Sequence, residues 1–369
     1  MSKTTMPKYL HLKRELLKRI RNAKPGECVE SEHELVKRCS VSRATVAKAV
    51  GELVAEGYLY REQGRGTFVA RAAATPDGPL GVIFCGVDSA MRTGNYFGDM
   101  FAGIEQAARA AARDILFMAG KTAPGQEFHP PAPTQLAQRG LAGVIVVGVD
   151  SDDHLAGILG AGLPAVSVDY HTDRVEIDCV VGDAESGGFL GTKVLLDAGH
   201  RRIAFLGHAR HGSRTYMAPD QGSLERLAGY RRAHREAGLK VDEELVCQPR
   251  QIEIHLGGRL EKLAAAGGAP TAAFSTGSDL LDELVVWGQK HGQAIDWVSA
   301  NWPPQRVVAG TLGRSVWEDP VEMGRAAAKL VLERIAGYAG PARKVLVPAQ
   351  LGQPASPEVA VAAAPAPAQ

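Results

Sequence analysis

Ser31-Glu32-His33-Glu34-Leu35, Ser42-Arg43-Ala44-Thr45-Val46 and Gln63-Gly64-Arg65-Gly66-Thr67-Phe68-Val69 punctuate one short stretch of this 369-residue chain. The first segment has the spacing of a capping box, in which the Ser31 hydroxyl and the Glu34 carboxylate each satisfy a backbone N–H at a helix start. Cys39-Ser40-Val41 continues a helix poorly, so that helix is expected to end near Arg38. Ser42 is a second N-cap candidate, and Val46, Val50 and Leu53 follow at helical spacing. Gly57 is a stop signal, and Tyr58-Leu59-Tyr60 and Thr67-Phe68-Val69 are β-prone triplets around a Gly-Arg-Gly tip. The order is helix, tight turn, helix and hairpin, a winged helix-turn-helix. Arg43, Thr45 and Lys48 lie near the start of its second helix, the end that a recognition helix presents to base edges. Arg65, on the hairpin tip, suits a phosphate or minor-groove contact.

Charge is segregated in the same way. Residues 1–75 hold 15 Lys+Arg against 8 Asp+Glu, whereas the rest of the chain holds 27 against 33, so a net charge of +1 conceals a basic module on an acidic body. That pattern is the electrostatic footprint of phosphate binding. With 45% apolar and 22% charged residues, the composition is that of a soluble globular protein with a large core. Cys28, Cys39, Cys85, Cys179 and Cys247 show no Cys-x-x-Cys spacing, which argues against a zinc site or a disulfide framework and for a reducing cytoplasm. No signal-peptide core is evident, and the longest apolar run, Leu141 to Val149, is far short of the roughly 18 residues a membrane helix needs. A cytoplasmic protein without a membrane partner is expected.

Arg71 to Pro79 lacks a periodic apolar pattern and ends in turn residues, which predicts a linker. The Pro- and Ala-rich end of the chain, 351–369, reads as a disordered tail. Four domain segments follow: 1–70, the DNA-binding module; 71–79, the linker; 80–350, the body; and 351–369, the tail. Within the body, strands are expected at Leu80–Cys85, Ile115–Ala119, Val144–Val149, Ala165–Val168, Ile203–Leu206 and Ala272–Ser275. Helices are expected at Phe101–Arg113, Gly187–Ala198, Leu224–Ala237 and Asp279–His291. The alternation predicts an α/β body of parallel sheets covered by helices. Ligands of such sheets bind beyond the carboxyl ends of the strands, which draws attention to Asp88, Ser89, Asp150, Asp169, Tyr170, His208, Arg210, Ser278 and Asp279.

No phosphate loop, His-Glu-x-x-His helix or Gly-x-Ser-x-Gly elbow occurs, so no catalytic residue, metal site or cofactor is assigned. Gly187-Gly188-Phe189-Leu190-Gly191 opens a helix without a dinucleotide fingerprint and reads as close helix packing. His208 and His211 near Asp220 read as loop histidines, and Asp150, Asp152 and Asp153 as a solvated turn or helix cap.

The segment Pro7 to Val69 resembles the GntR-type winged helix. The resemblance is carried by Tyr9, Pro25-Gly26, Ser31-Glu32-x-Glu34-Leu35, Val41-Ser42-Arg43-x-Thr45-Val46, Gly57 and Gln63 to Val69. It implies DNA contacts from Ser31, His33, Ser42, Arg43, Thr45, Lys48, Gln63, Gly64, Arg65, Gly66 and Thr67. Glu30, His33 and Ala47 depart from the family's usual proline and two arginines. Pro79 to Pro348 resembles the effector domain of LacI-type regulators, itself similar to periplasmic sugar-binding proteins. The carriers are Gly81-Val82-Ile83, Gly103-Ile104-Glu105, Leu196 to Gly207, Arg226-Leu227-Ala228-Gly229-Tyr230-Arg231 and Pro320-Val321-Glu322-Met323-Gly324.

That second resemblance implies two lobes joined by three chain crossings, with a small molecule clamped in the cleft between them. It maps the ligand-binding arginine to Arg226 and the cleft aspartate to Asp279, donors and acceptors suited to a polyol. Arg226 could instead form a surface salt bridge to Glu225 or Glu236, and Asp279 could be a helix N-cap. Asp88 and Asp169 are further effector candidates. Tyr96, Phe97 and Trp302 are candidates to cover a sugar ring, with a core role as the alternative. Ser278, Asp183-Ala184 and Ser299-Ala300-Asn301-Trp302 depart from the family's cleft motifs.

The function these readings imply is a repressor that binds a pseudo-palindromic operator in double-stranded DNA as a homodimer and answers to a small carbohydrate. The alternatives are an α/β enzyme or a solute-binding module with an accessory basic domain.

Overall fold

The computed structural model describes residues 8–23, 26–55, 58–70, 75–85, 96–119, 131, 135–136, 139–149, 151–207, 221–247, 256–276, 278–300 and 313–352. The chain divides into two compact units, 1–181 with 324–345, and 182–323 with 346–369, and passes from one to the other three times.

The first unit opens with the winged helix. Helices α1 (Lys8–Asn22), α2 (Glu32–Cys39) and α3 (Arg43–Ala55) precede the strands β1 (Leu59–Glu62) and β2 (Gly66–Val69). The strands pair antiparallel, with Leu59 opposite Val69 and Glu62 opposite Gly66. Leu12, Leu16 and Ile20 of α1, Leu35 of α2, and Val46, Val50 and Leu53 of α3 form one core with Leu59 and Val69. The α2 helix ends one residue later than expected, where Ser40 takes a left-handed backbone at φ 50°.

The rest of this unit is a six-stranded sheet in the order β4-β3-β5-β6-β7-β13: β3 Leu80–Phe84, β4 Ile115–Ala119, β5 Gly143–Val147, β6 Ala165–Val168, β7 Asp178–Gly182 and β13 Lys344–Val347. Strands β3 to β7 are parallel to their neighbours. β3 and β5 are buried along their whole length, as expected for strands covered on both faces. Helix α4 (Tyr96–Ala110) begins five residues before the Phe101 expected from periodicity and stops three residues before Arg113. Its end is marked by Ala112 at φ 50°, a left-handed stop with no glycine to announce it. Helix α5 (Asp152–Leu159) is capped by the Ser151 hydroxyl, which accepts from the His154 N–H, and Asp152 and Asp153 occupy its first turn, as helix-cap chemistry predicts.

The second unit is a six-stranded sheet in the order β9-β8-β10-β11-β12-β14, formed by β8 Ile203–Leu206, β9 Val246–Cys247, β10 Ala272–Ser275, β11 Asp296–Ala300, β12 Gly313–Glu318 and β14 Ala349–Gly352. All its pairings are parallel except the antiparallel edge pair β12·β14. Its helices are α6 (Ala184–Asp197), α7 (Gln221–Glu236), α8 (Leu256–Ala265) and α9 (Ser278–Lys290); α10 (Pro320–Ile335) runs across the second crossing. Alternate residues of one strand enter opposite cores. Ile203 and Phe205 pack with Leu195, Leu227 and Tyr230, whereas Ala204 and Leu206 pack with Leu260, Leu281 and Trp287. β7, β9, β11, β12, β13 and β14 are not among the strands expected from the sequence; in β7, β11 and β12 the polar residues Asp178, Asp296, Ser299, Arg314, Ser315 and Glu318 leave no plain apolar run. β14 also takes in Leu351 and Gly352, two residues of the expected tail.

The glycines at the start of α6 do serve close packing. A Cβ on Gly188 would lie 2.1 Å from the Arg226 carbonyl oxygen, and one on Gly229 would lie 2.0 Å from that of Glu185. Helices α6 and α7 therefore meet backbone to backbone.

Candidate nucleic-acid interface and effector residues

The capping box at the start of α2 forms as the sequence predicts. The Ser31 N–H donates to Glu34 Oε2 at 2.8 Å, and the Glu34 N–H donates to Ser31 Oγ at 3.3 Å. The Ser31 N–H and the Ser31 hydroxyl both donate to the Glu34 carboxylate, which favours its charged form and holds the Glu34 pKa below its ordinary value. At α3, Ser42 Oγ accepts the Thr45 N–H at 3.2 Å and lies 2.8 Å from Thr45 Oγ1. Thr45 is therefore oriented by the cap itself.

Ser31, His33, Ser42, Arg43 and Lys48 are exposed, while Thr45 is half-buried. Lys48 Nζ sits 3.8 Å from the centre of the Tyr9 ring, so α1 positions this ammonium group through a cation–π contact. Tyr9 entered the sequence reading only as a family marker. Its role as a platform for Lys48 depends on how α1 packs on α3.

At the wing, Gly64 (φ 75°) and Gly66 (φ 132°) take conformations that disfavour other residues, and Gln63 to Gly66 are exposed. Arg65 is 74% exposed and pairs with Glu62. Thr67 is half-buried, and its carbonyl accepts the Val29 N–H at 2.8 Å. Arg61, which the sequence reading passed over, joins the wing to α2 through Glu32 at 2.8 Å. Tyr60 and Phe68 stack across the strands at 5.5 Å. The wing is thus anchored to α2, with its glycine-flanked tip facing solvent.

Three effector candidates meet in the first unit. Tyr96 and Phe97 open α4, and Asp169 follows β6 at φ 64°, a strained position for a residue other than glycine. The Tyr96 hydroxyl donates to Asp169 Oδ1 at 3.1 Å. Phe97 packs edge-on against Tyr96 at 5.4 Å and Phe84 at 5.9 Å. The neighbouring Tyr170 donates its hydroxyl to Asp152 Oδ1 at 2.7 Å. This is a carboxylate and a phenol beside an apolar ring at the carboxyl end of a parallel sheet, the chemistry that orients a hydroxylated ligand.

In the second unit Arg226 is 8% exposed and bonds Glu318 through Nη2 at 2.9 and 3.1 Å. A surface bridge to Glu225 or Glu236 is therefore not what it forms. Glu318 fits there because Gly182 and Gly187 lack side chains; a Cβ on Gly182 would lie 2.6 Å from its Cγ. One turn before Arg226, Ser223 Oγ lies 3.2 Å from Thr276 Oγ1, both buried beyond the end of β10. Neither of these two residues was singled out from the sequence, since serine and threonine are too common to signal a site. Asp279 falls in the first turn of α9, one residue inside its start rather than at the cap. Asp88, Trp302 and the Asp279 side chain lie outside the described residues, as do His208, His211 and Asp220.

Among the described residues, no group of three or more His, Cys, Asp or Glu side chains is arranged to hold a metal ion. No helix of the described residues is long and apolar enough to cross a membrane.

Comparison with known proteins follows the same division. Residues 8–69 match the model of bacterial regulatory proteins of the gntR family. Residues 86–254 match that of periplasmic binding proteins and the sugar binding domain of the LacI family, and residues 192–353 match a periplasmic binding protein-like domain. An arabinose metabolism transcriptional repressor of Geobacillus stearothermophilus is 30% identical over 252 residues, 66% of each chain. Its namesake from Halalkalibacterium halodurans is 28% identical over 228 residues, 60% of this chain and 58% of that one. The chain thus spans 66% and 58% of the length of these two relatives, less than two thirds of each. The transcriptional regulator CelR–cellobiose complex shares the fold with a TM-score of 0.59 at 19% identity, covering 85% of this chain and 91% of that one. A putative ribose operon repressor from Burkholderia thailandensis does so at 0.58 and 18%, covering 74% and 98%. The chain thus joins a winged helix of the gntR type to a body of the periplasmic-binding-protein and LacI sugar-binding type.

Proposed function

We propose that the protein is a transcriptional repressor that binds a pseudo-palindromic operator duplex as a homodimer in the cytoplasm and is controlled by a small carbohydrate. The observation that carries the reading is the pair of exposed arginines on built supports: Arg43 at the Ser42–Thr45 cap of α3, and Arg65 on the glycine-flanked tip of the wing. Ser31, His33, Ser42, Arg43, Thr45, Lys48 and Gln63 to Thr67 are assigned to DNA. Two such modules on a symmetric body would place their recognition helices in successive major grooves.

We assign Tyr96, Phe97 and Asp169 of the first unit, and Arg226 of the second, to the effector. The carboxylate and guanidinium chemistry of these residues supports a polyol, and the names of the relatives make arabinose the first sugar to try. An effector switches DNA occupancy only if it binds two states of the body with unequal affinity. The protein regulates and performs no catalytic step in this reading.

Titration of labelled duplex with the full chain at several salt concentrations tests the DNA assignment. Binding that is absent, or indifferent to salt, overturns it. A thermal-shift series with arabinose and related sugars tests the effector, and a sugar that stabilises the body but leaves DNA affinity unchanged removes the regulatory claim.

A further inference from the structure

Helix α5 is buried on more of its circumference than the sheet beneath it explains. Leu155 and Ile158, three residues apart, enter the core of the first sheet. Successive residues turn about 100° around a helix, so Ala156 and Gly157 face away from that core. Both are nevertheless buried, Ala156 to 4% exposure.

The cover is the winged helix. Helix α1 lies against α5, and a Cβ on Gly157 would come within 2.8 Å of the Tyr58 hydroxyl oxygen. Tyr58 belongs to the winged-helix core and directly precedes β1. The absence of a side chain at Gly157 makes the notch that receives it.

The connection between the two parts is short. The Ala70 N–H donates to the Tyr58 carbonyl at 3.0 Å, inside the winged helix. On the other side, the Thr75 N–H donates to the Leu141 carbonyl at 3.0 Å, and Arg113 bonds the carbonyls of Pro76 and Gly78. The expected linker of 71–79 is therefore held to the body from Thr75 onward, and Ala70 and Thr75 are separated by at most about 18 Å of extended chain. In the docked position Ser42, Arg43, Lys48 and Arg65 stay exposed. The contact orients the DNA-facing residues and does not mask them. The other end of α5 is tied to the loop that carries Asp169, through the Asp152–Tyr170 hydrogen bond at 2.7 Å.

We propose that α5 is the mount that holds the winged helix in its DNA-competent orientation, and the element through which events at Tyr96 and Asp169 reach it. The proposal rests on the reading of residues 8–69 as DNA-binding and of the chain as a homodimer. A domain held in one orientation meets a second half-site at a higher effective concentration than one that swings on a tether.

The test uses the full chain, Gly157→Leu, which fills the notch, and the double variant Gly157→Leu/Tyr58→Ala, which makes room for the new side chain. Hydrogen exchange of 156–159 and of α1 is measured, with β5 as the check on folding. Affinity is measured for duplexes selected by the full chain from a random library, carrying one or two half-sites. Gly157→Leu is expected to expose α1 and 156–159 to exchange and to lose about tenfold in two-site affinity, with single-site affinity unchanged. The double variant is expected to recover both. Unchanged exchange, or equal losses on one-site and two-site duplexes, overturns the mount. If β5 loses protection in Gly157→Leu, Tyr58→Leu decides by the same two readings. If the unsubstituted chain binds no duplex at all, the DNA reading fails while the exchange data still judge the contact. To test the second clause, Tyr170→Phe with arabinose as probe should abolish any sugar-dependent change in two-site affinity, and a retained change removes α5 as the route.

Discussion

Replacing Asp178 by asparagine should destabilise the first unit, by an amount that shrinks as the pH falls. The Asp178 side chain is fully buried at the start of β7 and receives four charge-assisted or backbone hydrogen bonds. Arg334 donates through Nε and Nη2 at 2.9 and 2.8 Å, and Arg343 through Nη2 and its backbone N–H at 2.9 and 2.8 Å. Burial pushes the carboxyl pKa up, but the two guanidinium groups outweigh it and hold the group at about 2 against an ordinary 3.8. A folded-state pKa below the unfolded one means stability that is present above about pH 4 and lost as the pH falls through 2. The shift corresponds to about 2 kcal/mol, of which roughly half is gone by pH 3.

Asparagine keeps the volume of Asp178 and removes the charge, leaving two cations without their shared anion. A loss of about 3 kcal/mol at pH 7 is expected, which lowers the midpoint of thermal unfolding by roughly 6–12 °C. The assay can separate the units, because all four tryptophans, Trp287, Trp297, Trp302 and Trp317, belong to the second. Urea unfolding followed by far-ultraviolet circular dichroism should show an early transition that tryptophan fluorescence does not share. A deficit below about 1 kcal/mol at pH 7, or one that is the same at pH 7 and pH 3, refutes the reasoning.

Other expectations concern DNA, packing and pH. Arg43→Ala and Arg65→Ala should each lower the slope of log affinity against log salt by roughly one if the residue meets a phosphate. An unchanged slope assigns it elsewhere. Gly229→Ala drives a methyl group into the Glu185 carbonyl and should cost roughly 3 kcal/mol in the unfolding of the second unit, against little change for Gly238→Ser on the open surface beyond the strain of its positive φ. Burial holds the His234 imidazole below its ordinary pKa, although its bond to the Tyr230 carbonyl opposes this. The stability of the second unit should therefore fall as the pH drops below about 6.5. His234→Gln should flatten that dependence, measured by tryptophan fluorescence in urea.

What could be read from the sequence was chemistry that acts over one or two turns of chain. The Ser31–Glu34 box, the Ser42 cap, the glycine-flanked Arg65 and the strands at Leu80, Ala165, Ile203 and Ala272 all depend on neighbours a few residues away. Elements without such local signals are not legible in the sequence. The left-handed stop at Ala112 has no glycine, and β12 carries Arg314, Ser315 and Glu318 among its six residues.

The order of modules and the segregation of charge follow from composition and local pattern. The partners of individual side chains come from the packing of the fold: Arg226 with Glu318, Asp178 with Arg334 and Arg343, Lys48 with Tyr9, Tyr58 with Gly157. These pairs are separated by 39 to 165 residues. A helical or strand period states which face of an element is buried, but the identity of the side chain opposite is set by how the elements pack.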